Sequence, residues 1–453
     1  MRTDYRSGEP QASKHVAVIG SGVAGLSAAW LLASRHRVTL YEAEGRLGGH
    51  SNTVLAPTGE TMTPVDTGFI VYNEKNYPNL TAMLSHLEVE TEATDMSFGA
   101  SLDNGRIEYG STGIRAMMGS ENIGSWRFWQ MLRDIYRFYS KAPGVLQRPE
   151  CAGLTLGQFL DEQGYSRAFI EDHLLPMGAA IWSITAEQMR EYPLFAFVRF
   201  FMCHGLLDIV TARRPTWRTV TGGSVKYVQK LQQRLADVRT GRGVAQIVRE
   251  RGGVTVIDVA GERQWFTDVV IATHADQALR LLGDADAAET ALLGAFRYTD
   301  NEAVLHSDTR LMPNRRSAWS AWNYIGESAG VGCERPLCVT YWMNCLQNLD
   351  PAHQLFVTLN PTRDIAPERF IRSFHYTHPL FDRAAVDAQQ ELWRLQDSRH
   401  TFFAGSYFGH GFHEDALQSG LAAAEAVGGV RRPWIVANEN SRIAQAPRLE
   451  AAE

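Results

Sequence analysis

The chain has 453 residues, 45% hydrophobic and 21% charged, the balance of a soluble globular protein long enough for two domains. A formal net charge of −6 argues against nucleic acid as a partner. Five cysteines, Cys151, Cys203, Cys333, Cys338 and Cys345, form no C-x-x-C pair, so reduced thiols in a cytoplasmic protein are expected and no metal site is implied. The polar residues 1–13 read as a flexible tail without the apolar segment of a signal peptide, and no uninterrupted run of 18 apolar residues suggests a membrane span.

Residues 16–19 predict a strand, and residues 26–33 a helix. Between them lies Gly20-Ser21-Gly22-Val23-Ala24-Gly25. In this G-x-G-x-x-G, Gly20 permits the tight turn, Gly22 admits a pyrophosphate close to the backbone, and Gly25 lets helix and strand pack. The helix N-terminus, from Ser21 to Ala24, offers free N–H groups to phosphates. The next predicted strand, residues 38–41, delivers Glu42 twenty residues after Gly22, where a carboxylate accepts ribose hydroxyls. Strand, helix and acid together favour dinucleotide binding over an ordinary glycine loop.

The continuation Glu42-Ala43-Glu44-Gly45-Arg46-Leu47-Gly48-Gly49-His50 resembles the E-A-x-x-R-x-G-G-[RH] extension of the flavin-binding superfamily of amine oxidases and phytoene desaturases. The resemblance implies FAD as the cofactor. It places Arg46 near a phosphate, Gly48, Gly49 and His50 along the ribityl and ring portions, and Thr67, Gly68 and Phe69 beside the ring. It also implies an α/β fold: a Rossmann-type, glutathione-reductase-like FAD-binding domain with an interleaved α+β substrate domain.

Residues 79–214 turn helical and rich in aromatic and methionine side chains, among them 126–139 and 194–210, and are expected to build most of a substrate domain. The segment 194–202 is apolar nearly all round its helix, as a core helix is, and is also compatible with a hydrophobic tunnel. Residues 215–277 return to the nucleotide domain through Gly222-Gly223 and three predicted strands, 244–249, 253–259 and 265–271. The resemblance sets Val244 against the adenine. Residues 278–396 cross again into the substrate domain, as a sheet over the flavin. Residues 397–432 complete the FAD domain, residues 14–78 being its first part, and residues 433–453 read as a second flexible tail.

The closing motif, Ala404-Gly405-Ser406 and then Gly409 to Gly420, matches the superfamily's second flavin signature. It brings Gly405, Ser406, Asp415 and Ala416 to the cofactor, with a helix N-terminus aimed at the flavin C2 carbonyl. Ser406 stands where the superfamily usually carries an acid. His410 and His413 lie inside this motif and, like His50, are expected to touch cofactor.

No second G-x-G-x-x-G occurs, which disfavours a dedicated nicotinamide domain and points to oxygen or a quinone as electron acceptor. Amine oxidases of this fold commonly hold a lysine over the flavin from the second substrate segment. This chain has no lysine after Lys230. Trp322, Tyr324, Tyr341 and Trp342 are candidate walls for an apolar substrate, and His375, Tyr376 and His378 are candidate acid/base groups. The Trp-Asn-Tyr and Tyr-Trp-Met-Asn stretches resemble a bacterial flavoprotein group found beside methyltransferases similar to cyclopropane-fatty-acid synthases. That implies a desaturase or dehydrogenase of methyl-branched or unsaturated fatty acyl chains. The alternatives are a redox-neutral double-bond isomerase, an amine oxidase, and a non-catalytic flavin-binding partner of a methyltransferase. An acyl chain carried in a phospholipid would bring peripheral contact with the inner face of the membrane.

Overall fold

The strand His15–Ile19 is buried on both faces, which places it at the centre of a sheet. Val16 and Val18 pack with the apolar residues of two helices, and Ala17 and Ile19 pack into a second cluster on the opposite side. The structure of the chain is a computed structural model describing residues 12–208, 215–326 and 336–445. The strand order is Asp237–Arg239, Arg37–Tyr41, His15–Ile19, Asp268–Ile271, Thr401–Phe403, parallel throughout. These strands come from three separated stretches of chain, so the nucleotide domain is assembled from three segments.

One face of this sheet is covered by the helices Val23–Leu32 and His413–Val427. A Cβ on Gly420 would lie 2.2 Å from the Ala24 carbonyl oxygen, so the two helices meet backbone to backbone. The other face carries an antiparallel sheet of Val244–Glu250, Gly253–Asp258 and Arg263–Phe266. The stretch 265–271, expected as one strand, divides at Thr267. Its amide and hydroxyl both donate to the His15 carbonyl, at 2.8 and 2.9 Å, and the residues on either side join different sheets.

The substrate domain is built on a seven-stranded sheet, ordered Phe370–Leu380, Arg297–His306, Phe356–Leu359, Val339–Trp342, Trp322–Gly326, Phe98–Leu102, Ile107–Gly110. Both substrate segments contribute, so the first is less purely helical than its composition suggests. Helices Trp126–Lys141, Leu156–Glu162, Leu175–Trp182 and Leu194–Cys203 pack beside it. Leu194, Phe197, Val198 and Phe201 are fully buried, as expected of a core helix, but that helix ends at Cys203 and positions 209 and 210 lie outside the described residues.

Residues 433–445 are packed against the nucleotide domain, contrary to the expected flexible tail. Trp434 stacks on Trp30 at 6.0 Å, Ile443 is buried, and Arg442 pairs with Asp415 at 3.3 Å. Among the described residues no helix is long and apolar enough to cross a membrane.

Candidate active site

The carboxyl ends of the parallel strands open on one cavity of about 940 Å³, the position at which α/β sheets bind ligands. The three motif glycines divide the work there. Gly20, at φ +96°, donates its N–H to the Tyr41 carbonyl at 2.8 Å, and a Cβ on it would sit 2.8 Å from the Ala272 carbonyl oxygen. At Gly25 a Cβ would sit 1.9 Å from the Gly20 oxygen. At Gly22 nothing lies within 4 Å of that position, so the one open glycine faces the cavity.

Gly22 also caps the ten-residue helix Val23–Leu32 without a side chain, leaving its first N–H groups to an anion. The Glu42 carboxylate accepts from the Ser21 amide (2.8 Å), the Ser21 hydroxyl (2.5 Å) and the Glu44 amide (2.8 Å). A carboxylate has about four acceptor positions, so one remains for a ribose hydroxyl. Arg46 donates to the Gly49 carbonyl at 2.7 Å and pairs with Glu44 at 2.9 Å. Gly49, at φ +55°, closes this loop against Gly22, where a Cβ would come 3.1 Å from the Gly22 Cα.

The ring end is walled by two further segments. Gly68 passes so close to His50 that a Cβ would lie 2.3 Å from the His50 oxygen, which accepts from the Phe69 amide at 2.8 Å. Phe69 stacks on His413 at 3.8 Å and 10°, and His413 Nε2 meets the Tyr227 hydroxyl at 2.7 Å. Val244, Gly405, Ser406, His410 and Ala416 line the same cavity. Asp415 does not. It is fully buried, accepts from the Phe412 amide at 2.8 Å and pairs with Arg442, so its work is to cap the helix His413–Val427. The donor set, the open glycine and the close backbone passages fit FAD.

The three acid/base candidates lie on the strand Phe370–Leu380 and reach the cavity differently. His375 is exposed at the rim. Tyr376 is buried, and its hydroxyl is held by Asn52 Nδ2 (2.9 Å) and Thr67 Oγ1 (2.8 Å) while its ring stacks on His50 at 4.9 Å. Burial raises its pKa, so it stays a phenol. His378 is fixed by a chain of amides. The Glu302 amide donates to Asn360 Oδ1 (2.9 Å), Asn360 Nδ2 to Asn301 Oδ1 (2.7 Å), and Asn301 Nδ2 to His378 Nδ1 (3.0 Å). Nδ1 is therefore the acceptor and Nε2 carries the hydrogen, so of the acid/base roles expected of it His378 is set up for that of donor.

Burial, followed by the neighbouring His274 ring, pushes the His378 pKa down to about 4. His50 is lowered well below the ordinary imidazole range by burial and then by His378 and His274, whose rings lie 5.4 and 6.4 Å away. Its Nε2 is enclosed with no hydrogen-bond partner among the described residues. Burial also lowers His413, to about 3, and His410. The site is thus a ring of neutral imidazoles.

Beyond them an apolar arm runs between the helices and the substrate sheet, lined by Met96, Phe98, Leu132, Ile135, Met177 and Ile181. Trp322 and Tyr341 face it, edge to face at 4.9 Å and 88°. Trp342 and Tyr324 do not line it. Strand alternation turns Trp342 to the opposite face, where it packs with Trp319, Phe356 and the Arg316 guanidinium. Tyr324, two residues further along its strand than Trp322, is buried in the core against Gly326 at the strand's end.

Two groups escaped the sequence reading. His274 lies just beyond the strand Asp268–Ile271, after Ala272 and Thr273, stacks on Tyr298 at 4.5 Å and meets Thr377 Oγ1 at 3.1 Å; its place after a parallel strand was a usable signal. No local pattern marks the second, His173 on a single π-helical turn Ile170–Leu174. The Tyr109 hydroxyl donates to the Asp172 carbonyl (2.8 Å) and so accepts from His173 Nδ1 (3.0 Å), leaving Nε2 to accept from Tyr139 (2.9 Å). All three line the arm.

Residues 23–301 match the family model described as flavin containing amine oxidoreductase, well over half of the chain. The chain belongs to that family, and is an FAD-dependent oxidoreductase. Among its relatives, an L-amino-acid oxidase of the snake Bungarus fasciatus is 63% identical over 41 residues, 9% of this chain and 8% of that protein. A putative L-amino-acid oxidase, YobN, of Bacillus subtilis is 25% identical over 210 residues, 44% of this chain and 37% of that one. The chain therefore matches well under two thirds of the length of these relatives. In fold it is similar to a fatty acid isomerase from P. acnes that produces CLA (16% identity, TM-score 0.63, 93% of this chain and 99% of that one). It is equally similar to cyclohexylamine oxidase from Brevibacterium oxydans (14% identity, TM-score 0.64, 92% and 99%).

Proposed function

We propose that this enzyme removes hydride from an apolar acyl chain, as a desaturase or dehydrogenase of methyl-branched or unsaturated fatty acyl groups. The carrying observation is the charge distribution along the cavity. Among its described lining residues the carboxylates and arginines are Glu42, Glu44, Arg46 and Arg280, and none of these lies in the apolar arm, whose histidine, His173, is held neutral by burial. An ammonium or an amino-acid carboxylate would enter that arm without a counter-charge, at a cost of several kcal/mol. A hydrocarbon chain enters at a gain of about 0.8 kcal/mol per buried CH₂.

The glycine loop, Glu42 and the Gly405–Ala416 segment would hold FAD, which when bound would supply a two-electron acceptor for the hydride. The protein positions the chain and keeps water out. Trp322 and Tyr341 clamp its path to the ring, and the neutral imidazoles place no cation beside the carbon that loses hydride. His378 donates from Nε2, and the proton released from the neighbouring carbon passes to water at the cavity rim, where the candidate His375 is exposed. Oxygen or a quinone would be the final electron acceptor.

The second reading is a redox-neutral double-bond isomerase, the activity named for the P. acnes protein that shares this fold. Anaerobic mixing with monounsaturated and methyl-branched acyl lipids separates the two. Lasting loss of the flavin band at about 450 nm, with a new double bond by mass spectrometry, supports the dehydrogenase. A shifted double bond without net bleaching supports the isomerase. Peroxide release with amines and neither lipid result would refute both.

A further inference from the structure

The helix Trp126–Lys141 serves two surfaces at once. Leu132, Ile135 and Tyr139 line the cavity, while Trp126, Trp129, Arg133 and Tyr136 follow the other face at helical spacing. Trp126 is 74% exposed, Trp129 44% and Tyr136 66%. Just upstream, Ile114 is 83% and Ile123 51% exposed, and the Trp129 indole N–H donates to the Ile123 carbonyl at 2.9 Å, tying the two segments together. Large aromatic and aliphatic side chains gathered on one face at these exposures mark an interaction site.

Two further observations identify the occupant. Residues 114–141 carry five basic side chains, Arg115, Arg127, Arg133, Arg137 and Lys141, against the acids Glu121 and Asp134, in a chain whose net charge is −6. Asp134 is buried, where it pairs with Arg133 at 3.1 Å, and Arg127 pairs with Glu171 and Asp172, so Arg115, Arg137 and Lys141 are the cations left to the exposed face beside the aromatics. Ser111 and Met117, which flank Ile114 in sequence, both line the cavity, so the cavity reaches the surface beside this face. Tryptophan and tyrosine flanked by arginine and lysine is the composition of a helix lying in a lipid headgroup layer.

We propose that residues 114–136 dock the enzyme on an anionic phospholipid bilayer, with the cavity opening beside Met117 facing the acyl layer. This rests on the acyl-chain reading for its purpose, though not for its evidence. A chain drawn from the bilayer would enter the apolar arm without crossing water.

The test uses the full-length, FAD-loaded enzyme with vesicles of phosphatidylcholine alone and of phosphatidylcholine mixed with phosphatidylglycerol. The parent should sediment with the mixed vesicles, release on raising salt, and lose tryptophan fluorescence to brominated acyl chains. The W126S/W129S variant, whose changes lie outside the cavity, should keep its flavin and its rate on detergent-dispersed substrate while its vesicle partitioning falls about tenfold or more. A parent that stays in the supernatant overturns the proposal, as does a variant that binds like the parent. Light scattering that shows a parent dimer and a variant monomer, without lipid binding, assigns the face to a second copy and overturns it as well. Vesicle binding without flavin reduction by any lipid would keep the surface and refute the acyl reading; reduction by dispersed chains without vesicle binding would do the reverse.

Discussion

Replacing Gly22 and Gly25 separately by alanine tests whether the first turn is shaped by ligand or by packing. Gly22 has φ −60° and ψ 175°, an extended conformation open to any residue, and empty space where Cβ would go. Alanine there loses a few tenths of a kcal/mol as a helix cap and regains a similar amount from the stiffened unfolded chain, so the flavin-free protein should melt within about 2 °C of the parent. The added methyl occupies the approach of the pyrophosphate. An intrusion of that size costs about 1–3 kcal/mol in a packed contact, so FAD should bind about 5- to 150-fold more weakly. Gly25→Ala sets a methyl 1.9 Å from the Gly20 oxygen, which no side-chain motion relieves, so this variant should be insoluble or melt far below the parent. FAD titration by fluorescence and thermal melting of the stripped protein read both. A Gly22→Ala protein binding FAD within threefold of the parent would refute the assignment of that open side to the cofactor.

Further outcomes follow from the same geometry. Tyr376→Phe removes the hydroxyl held by Asn52 and Thr67, and should lower stability by about 1–2 kcal/mol with little change in the rate of flavin reduction; a hundredfold slower rate would make Tyr376 a proton-transfer group. Met177→Trp, which narrows the apolar arm, should cut turnover of long acyl chains at least tenfold and spare short ones, measured across a chain-length series. His173 and His378 are lowered from 6.5 to about 4, and His204 to about 3, chiefly by burial. The unfolded chain therefore binds more protons than the folded one between pH 6.5 and about 4, and stability falls as pH drops through that window, by up to about 3 kcal/mol per histidine. Melting temperature against pH checks this: a flat profile from pH 7 to 4.5 would contradict it. Trp342→Ala should destabilise by about 1–3 kcal/mol without altering substrate preference, since its half-buried indole packs away from the cavity.

The nucleotide half was legible because its signals are local. Turn, close approach and helix packing each demand glycine at a fixed offset, and the acid suited to a ribose sits at the end of the next strand, so Gly20, Gly22, Gly25 and Glu42 can be read without knowing what surrounds them. Asp415 lies within a comparable motif, yet its role turned on Arg442, a residue in a segment whose polar composition suggested no packing at all. Strand periodicity, which is also local, separates Tyr341 from Trp342 once the strand is recognised.

The substrate half was decided by tertiary structure. Whether His378 is a base or a donor depends on an amide chain through Asn301 and Asn360, and on the pairing of Thr299 with His378 across two strands 79 positions apart. The His173 relay joins a π-helical turn to tyrosines on a strand and a helix, and the exposed Trp126 and Trp129 gain meaning only from the cavity behind them. Spacing along the chain encodes what a turn or a single helix face requires. Protonation, burial and access are properties of groups brought together from distant segments, and only the folded chain determines them.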